Sequence, residues 1–169
     1  MNNRTWGERA MDDERVMDEH MMDVAIQQAR RAAQAGDVPV GAVIVQRETR
    51  EIVAHVFNTR EAKKDPTGHA EIAAIREAAF ALGRWRLVDC SLYVTLEPCT
   101  MCAGAIVAAR IPRVVFGAWD AQAGAAGSLR DVLRDSRGPY QVEVIGGVRE
   151  TECEAMLRGF FALKRDEER

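Results

Sequence analysis

The chain has 169 residues, 47% hydrophobic and 29% charged, which fits one globular domain with a substantial core and leaves no need for a second. No uninterrupted apolar run approaches a membrane span, and the amino terminus, with Glu8, Asp12, Asp13 and Glu14, lacks the apolar centre of a signal peptide, so a cytoplasmic protein with no membrane partner is expected. The formal net charge of −3 has the wrong sign for broad attraction to a phosphate backbone; residues 1–24 hold seven acids and three bases, a net of −4, so the remainder carries +1 and any nucleic-acid contact must rest on local basic positions.

Residues 1–17 are polar and charged and are expected to form a mobile acidic tail, ahead of a single domain over residues 18–169. From about residue 18 to 35, Met22, Ile26, Ala29 and Ala33 recur at helical spacing, and Gly36, Asp37 and Pro39 end the run. Residues 40–45 are continuously apolar, as in a strand covered on both faces, and residues 52–57 read as its antiparallel neighbour. His20 and His55 read as a helix-surface and a strand histidine, and Asn58 as a turn residue at the strand's end.

Asp65, Pro66, Thr67 and Gly68 are turn chemistry leading into His69, after which Ile72, Ile75, Ala79 and Leu82 fall on one helix face until Gly83 ends the helix. Residues 91–96 give a third strand, and a helix opening at Cys99 follows, rich in small residues and stopped by Pro112. Residues 113–117 form the fourth strand. More than twenty residues, including a helical stretch at 129–134, separate it from a fifth at 142–145; a hairpin needs no such length, so these two strands are expected to run parallel. Thr151 and Glu154 have capping-box spacing, and Cys153, Met156, Phe160 and Leu163 trace the apolar face of a terminal helix. Phe161 lies at the edge of that stripe beside Arg158, Lys164 and Arg165; it reads either as core or as an aromatic that stacks a splayed base while the cations meet phosphate.

The chemistry concentrates in two short motifs, His69-Ala70-Glu71 and Pro98-Cys99-Thr100-Met101-Cys102. Cys99 and Cys102 share a helix face, and a helix amino terminus favours the thiolate that binds metal. With His69 they make three zinc ligands, and Glu71, in the first helical turn, can reach a water in the fourth position, the arrangement of a catalytic zinc. The competing reading is a closed structural site of three cysteines and one histidine, completed by Cys90 or Cys153.

At these residues the chain resembles the zinc-dependent nucleoside deaminases. The segments 38–43, 65–67, 92–97, 114–117 and 124–128 extend the likeness, over roughly residues 20–165, to the bacterial tRNA-specific adenosine deaminases of the cytidine and deoxycytidylate deaminase superfamily. The resemblance implies a three-layer α/β/α fold with a five-stranded mixed sheet whose strands four and five are parallel. It also implies one Zn2+ per subunit and hydrolytic deamination of the wobble adenosine in a tRNA anticodon stem-loop, by zinc-activated hydroxide attack on C6 with Glu71 as proton shuttle. In the same way Asn58 is implied to contact the ribose, Pro39 and Val40 to line the base pocket, backbone donors around Ala70 and Cys99 to hold the reacting oxygen, Asp120 and Phe161 to meet RNA, and the protein to be a homodimer. Trp119, Gln122 and Ala123 depart from the charged or hydroxyl residues common there. Deamination of a free base or nucleoside such as guanine or cytosine, and a noncatalytic zinc-stabilised RNA-binding module, are the alternatives.

Overall fold

A computed structural model describes residues 6–167 of the chain. Five strands, β1 (Gly41–Gln46), β2 (Ile52–Phe57), β3 (Cys90–Leu96), β4 (Arg113–Ala118) and β5 (Glu143–Ile145), form one sheet in the order β2-β1-β3-β4-β5. β1 is antiparallel to β2 and to β3, whereas β3, β4 and β5 run parallel, with Val114 opposite Val144 and Val115 opposite Ile145. The long fourth-to-fifth connection therefore returns the chain to the end of the sheet at which β4 began, with β5 at the edge beside it.

The pleat of the strands sorts the core into two layers. Ala42, Ile44, Leu92, Val94, Val114 and Phe116 pack with the helices α3 (Ala70–Ala81) and α4 (Thr100–Ala108), while Val43, Val45, Tyr93 and Val115 pack with α1 (Trp6–Gln34) and α5 (Glu150–Glu167). The result is the α/β/α sandwich that the family resemblance implied. On one side α1 crosses β1 so closely that a Cβ on Gly41 would collide with the Ala25 carbonyl and the Ala29 amide, so the absence of a side chain there sets the depth of the layer. No helix among the described residues is long and apolar enough to cross a membrane.

Four local expectations need correction. The first helix begins at Trp6, well upstream of residue 18, so most of the expected mobile tail is helical; residues 1–5 of it lie outside the described residues. The cause is Arg113, buried at 2% exposure, whose guanidinium takes Asp18 of α1 bidentately at 2.8 and 2.9 Å and lies 3.4 Å from Glu14. Of the acids in the expected tail, Glu14 is a partner of this buried cation, and Asp18, its bidentate partner, opens the expected helix. On α3 the buried face is Ala70, Ala74 and Ala78, because small residues let the helix lie against the sheet; the isoleucine stripe is only half covered. Residues 129–134 form turns rather than a helix, since their backbone groups bond across the loop: Val132 donates to the Ala125 carbonyl at 2.9 Å and Val142 to that of Leu133 at 2.9 Å. Finally α5 opens at Glu150, so Thr151 sits inside the first turn and caps nothing, and its outer end leaves Leu163 67% exposed. A one-turn helix, α2 (Arg60–Lys63), precedes α3 and was not anticipated.

Glu97, immediately after β3, ties the β4–β5 connection to the rest of the molecule. Its Oε1 accepts from the backbone amides of Ala126 and Ser128, both at 3.0 Å, and its Oε2 accepts from the Asp120 amide at 2.9 Å and from the Ser128 hydroxyl. Burial pushes this carboxyl up, but the hydrogen bonds from Ser128, Asp120 and Ala126 outweigh it and hold it below the usual glutamate range. The loop comes so close that a Cβ on Gly124 would strike the Glu97 carboxylate.

Two stability outcomes follow from these buried charges. Arg113→Met strands Asp18 without its cation and should cost roughly 3–5 kcal/mol in urea unfolding, and adding Asp18→Leu should recover much of that loss, because the uncompensated charge goes with it. Glu97→Gln presents an amide to donors that need an acceptor and should cost about 1.5–3 kcal/mol by the same measurement.

Candidate metal centre and substrate cleft

The metal-ligating side chains sit where helices begin. His69 is the residue that caps α3 (φ −74°, ψ 148°) and Cys99 the one that caps α4 (φ −74°, ψ 174°), and neither side chain makes a capping hydrogen bond. A capping residue has extended backbone while the next residue is helical, so its side chain projects beyond the helix end. Cys102, one turn into α4, completes the group. His69 Nδ1 lies 3.7 Å from Cys99 Sγ and 3.5 Å from Cys102 Sγ, and the three ligand atoms lie within 4.8 Å of one another. For a tetrahedral zinc with Zn–S about 2.3 Å and Zn–N about 2.0–2.1 Å, the nitrogen-to-sulfur edge is roughly 3.6 Å. The donor set and its spacing fit zinc.

The three side chains are electrostatically coupled. The hydrogen bond from Cys102 and that from His69 pull the Cys99 thiol down to about 3, while the same contact with Cys99, together with burial, pushes Cys102 up. The hydrogen bond to Cys99 raises His69 above its ordinary value against the effect of burial. Neither remaining cysteine joins the group. Burial pushes Cys90 up to about 11, aided by Asp89, and pushes Cys153 up to about 12, where it packs in the layer with α1 and α5. Among the described residues there is no fourth protein ligand, and the closed structural site of three cysteines and one histidine is not what the chain builds.

A cleft of about 220 Å³ opens over His69 and Cys99. It lies at the carboxyl ends of β3 and β4, where open sheets of this kind place their ligands. Glu71, in the first turn of α3, forms part of its floor with only 4% exposure, and burial raises its carboxyl above the usual range. One wall is Val38, Val40 and Asn58; the facing wall is Leu96, Glu97, Asp120 and Ala123, the last two belonging to the loop that Glu97 clamps. Arg60 of α2 stands at the edge. A larger groove of about 580 Å³, at the opposite ends of β1 and β3, is lined by Glu14, Arg47, Asp89 and Arg113 and holds no such donor set.

Of the residues singled out in the sequence, His69, Glu71, Cys99, Asn58, Val40 and Asp120 meet at this cleft, and Cys102 lies buried behind it. Pro39 is buried between two lining residues without lining the cleft itself, and Ala70 is the buried first residue of α3. Phe161 is on α5, 45% exposed and edge-on to Phe160, and does not border the cleft. Trp119 packs its ring edge-on against Phe116 at 4.7 Å, and the Gln122 amide donates to Asp120 Oδ1 at 2.9 Å, so these two departures from the family pattern first serve the loop. Asp37, Arg60 and Glu97 were missed. Asp37 and Glu97 are buried acids, which a sequence presents as if they were a turn residue and a strand-end charge.

Comparison with known proteins agrees with this geometry. The sequence matches the cytidine and deoxycytidylate deaminase zinc-binding region over residues 15–118. It is 48% identical over 146 residues to the tRNA-specific adenosine deaminase of Bacillus subtilis, covering 86% of this chain and 89% of that one. A solved structure from studies of A-to-I editing by tRNA:A34 deaminases at the wobble position superposes with a TM-score of 0.76 at 42% identity, over 82% of this chain and 99% of that one. The guanine deaminase of Bacillus subtilis superposes with a TM-score of 0.58 at 41% identity, over 65% of this chain and 69% of that one. This chain belongs to the zinc-binding cytidine and deoxycytidylate deaminase family, and within it to the tRNA-specific adenosine deaminases.

Proposed function

We propose that this protein hydrolytically deaminates adenosine to inosine at the wobble position of a tRNA anticodon. The observation that carries the reading is sequence identity sustained over length: 42% identity to a tRNA:A34 deaminase structure runs over 82% of the chain, whereas guanine deaminase structures share 41% over only 65% of it, or cover 85% at only 22% identity.

His69, Cys99 and Cys102 would hold the metal. Zinc bound there supplies the Lewis acidity that makes water a nucleophile near neutral pH. Glu71 is assigned the proton traffic. Its buried carboxylate takes a proton from the attacking water and delivers it to the ring nitrogen beside C6, so that the carbon accepts the hydroxyl oxygen. The same group then passes the second proton to the amine, the C–N bond breaks and ammonia leaves. A carboxyl raised by burial is suited to both directions of transfer. The backbone N–H groups at the start of α3, Ala70 first among them, have no carbonyl partner within their own helix and, with those at the start of α4 around Cys99, are assigned to the reacting oxygen.

Val40 and Asn58 are assigned to the bound nucleoside, with Pro39 holding the Val40 wall in place, and Asp120 to the RNA at the rim. Phe161, with its exposed ring beside Arg158 and Lys164, is assigned to RNA beyond the cleft. We place the protein in the cytoplasm as a homodimer whose partner is the anticodon stem-loop; likeness to the family supports each of these.

Glu71→Gln should lower turnover at least about 100-fold while leaving one zinc per chain by metal analysis, since the amide keeps the shape and loses the proton. Stripping the metal with a chelator should abolish activity, and added zinc should restore it. Incubating zinc-loaded protein with an anticodon stem-loop carrying wobble adenosine, and separately with free adenosine, cytidine, cytosine and guanine, should yield inosine in the RNA; conversion of a free base with the RNA untouched would sink the tRNA assignment.

A further inference from the structure

Asp37 is wholly buried in the turn between α1 and β1, with no cation within ion-pairing distance among the described residues. Every partner it has is a donor. Its Oδ2 accepts from the backbone amides of Glu61 and Ala62, both at 3.0 Å, and its Oδ1 accepts from the Val38 amide at 3.2 Å and from Asn58 Nδ2 at 2.6 Å. The two amides on Oδ2 belong to the first turn of α2, whose own capping residue, Thr59, makes no side-chain bond to the helix. One carboxylate thus holds both the start of α2, from which Arg60 reaches the cleft, and the side chain of Asn58, which lines it.

This arrangement fixes a choice that an asparagine otherwise leaves open. The two ends of a carboxamide have nearly the same shape, and which is which follows from the partners. An oxygen of Asn58 facing Asp37 Oδ1 would set acceptor against acceptor in a buried site, so the nitrogen must face the carboxylate. The oxygen is then turned away. Among the described residues it accepts no hydrogen bond, yet it is not one of their sealed polar atoms, since the one buried side-chain polar atom without a hydrogen bond there is Arg113 Nε.

We propose that Asp37 is a positioning residue that locks Asn58 with its carbonyl oxygen toward the cleft, so that this wall selects substrates offering it a hydrogen-bond donor, a hydroxyl or an N–H. The inference rests on the deaminase reading of the cleft and adds to it the polarity required of the substrate at Asn58. A substrate with an acceptor at that point meets an acceptor and is disfavoured by the unpaired pair.

Exchange of the two side chains tests the lock. In Asp37→Asn the new amide keeps its oxygen on α2 and turns its nitrogen to Asn58, which must flip and present a donor to the cleft. KM for the stem-loop should rise about tenfold or more with kcat little changed, the pattern of a contact made equally in ground and transition states. In the double variant Asp37→Asn with Asn58→Asp, the donor and acceptor are restored in reverse order, the cleft again sees an oxygen, and KM should return to within about threefold of the parent. A merely structural Asp37 gives no such rescue. An unchanged KM in Asp37→Asn, or a double variant no better than the single, overturns the proposal. Should Asp37→Asn not fold, Asn58→Asp serves as the single variant: two carboxylates then face each other, and adding Asp37→Asn should improve KM, with failure to do so again overturning it. If the parent converts a free base and leaves the RNA untouched, the wobble reading alone fails and the same KM comparison is made with that base.

Discussion

Two helix beginnings meeting at one point are the constraint on which the molecule turns. A helix leaves its first amides without partners in its own backbone, and its amino end attracts negative charge. Here the residue that would ordinarily supply a capping oxygen is in one helix a histidine and in the other a cysteine, and neither makes a capping hydrogen bond. Both are free to face each other, and the gap between them has the dimensions of a tetrahedral cation with its ligands.

The sheet exists to hold that meeting point. α3 reaches it after the β1–β2 hairpin and α4 directly after β3, and both pack on the same face, α3 through Ala70, Ala74 and Ala78 and α4 through Ala103 and Ile106. The opposite face, with α1 and α5, carries no part of the chemistry and supplies instead the second half of the core. Its polar knot of Arg113, Asp18 and Tyr93 fastens α1 to the centre of the sheet, with Tyr93 donating to Asp18 at 3.1 Å and burial raising the Tyr93 hydroxyl. Arg113 Nε lies 3.2 Å from the Glu143 carboxylate without hydrogen-bond alignment.

Much of this was legible in the sequence because it follows local rules. Apolar runs gave the strands, punctuation by glycine and proline gave the helix ends, and connection length gave the parallel pairing of β4 with β5. The metal group was legible because histidine and two cysteines have few other uses at helix starts. What escaped notice depends on distant partners. Glu14 and Asp18 look solvated until Arg113 is placed beneath them; Ile72 and Ile75 look like the inner face of α3 until the sheet's closeness favours alanine; Asp37 looks like punctuation until Asn58 and α2 arrive on it. Glu97 is the same case, a charge whose partners lie more than twenty residues on in a loop with no regular structure.

The Glu97 clamp also limits how this wall of the cleft can be redesigned. Asp120 and Ala123 hang from a connection whose amides at Asp120, Ala126 and Ser128 converge on one carboxylate two residues from a zinc ligand. A loop transplanted from a relative to change substrate range would have to bring those three donors in the same places, and a small residue at position 124. Without them the graft would leave a bare anion beside Cys99, and an exchange meant to alter selectivity would instead disturb the catalyst.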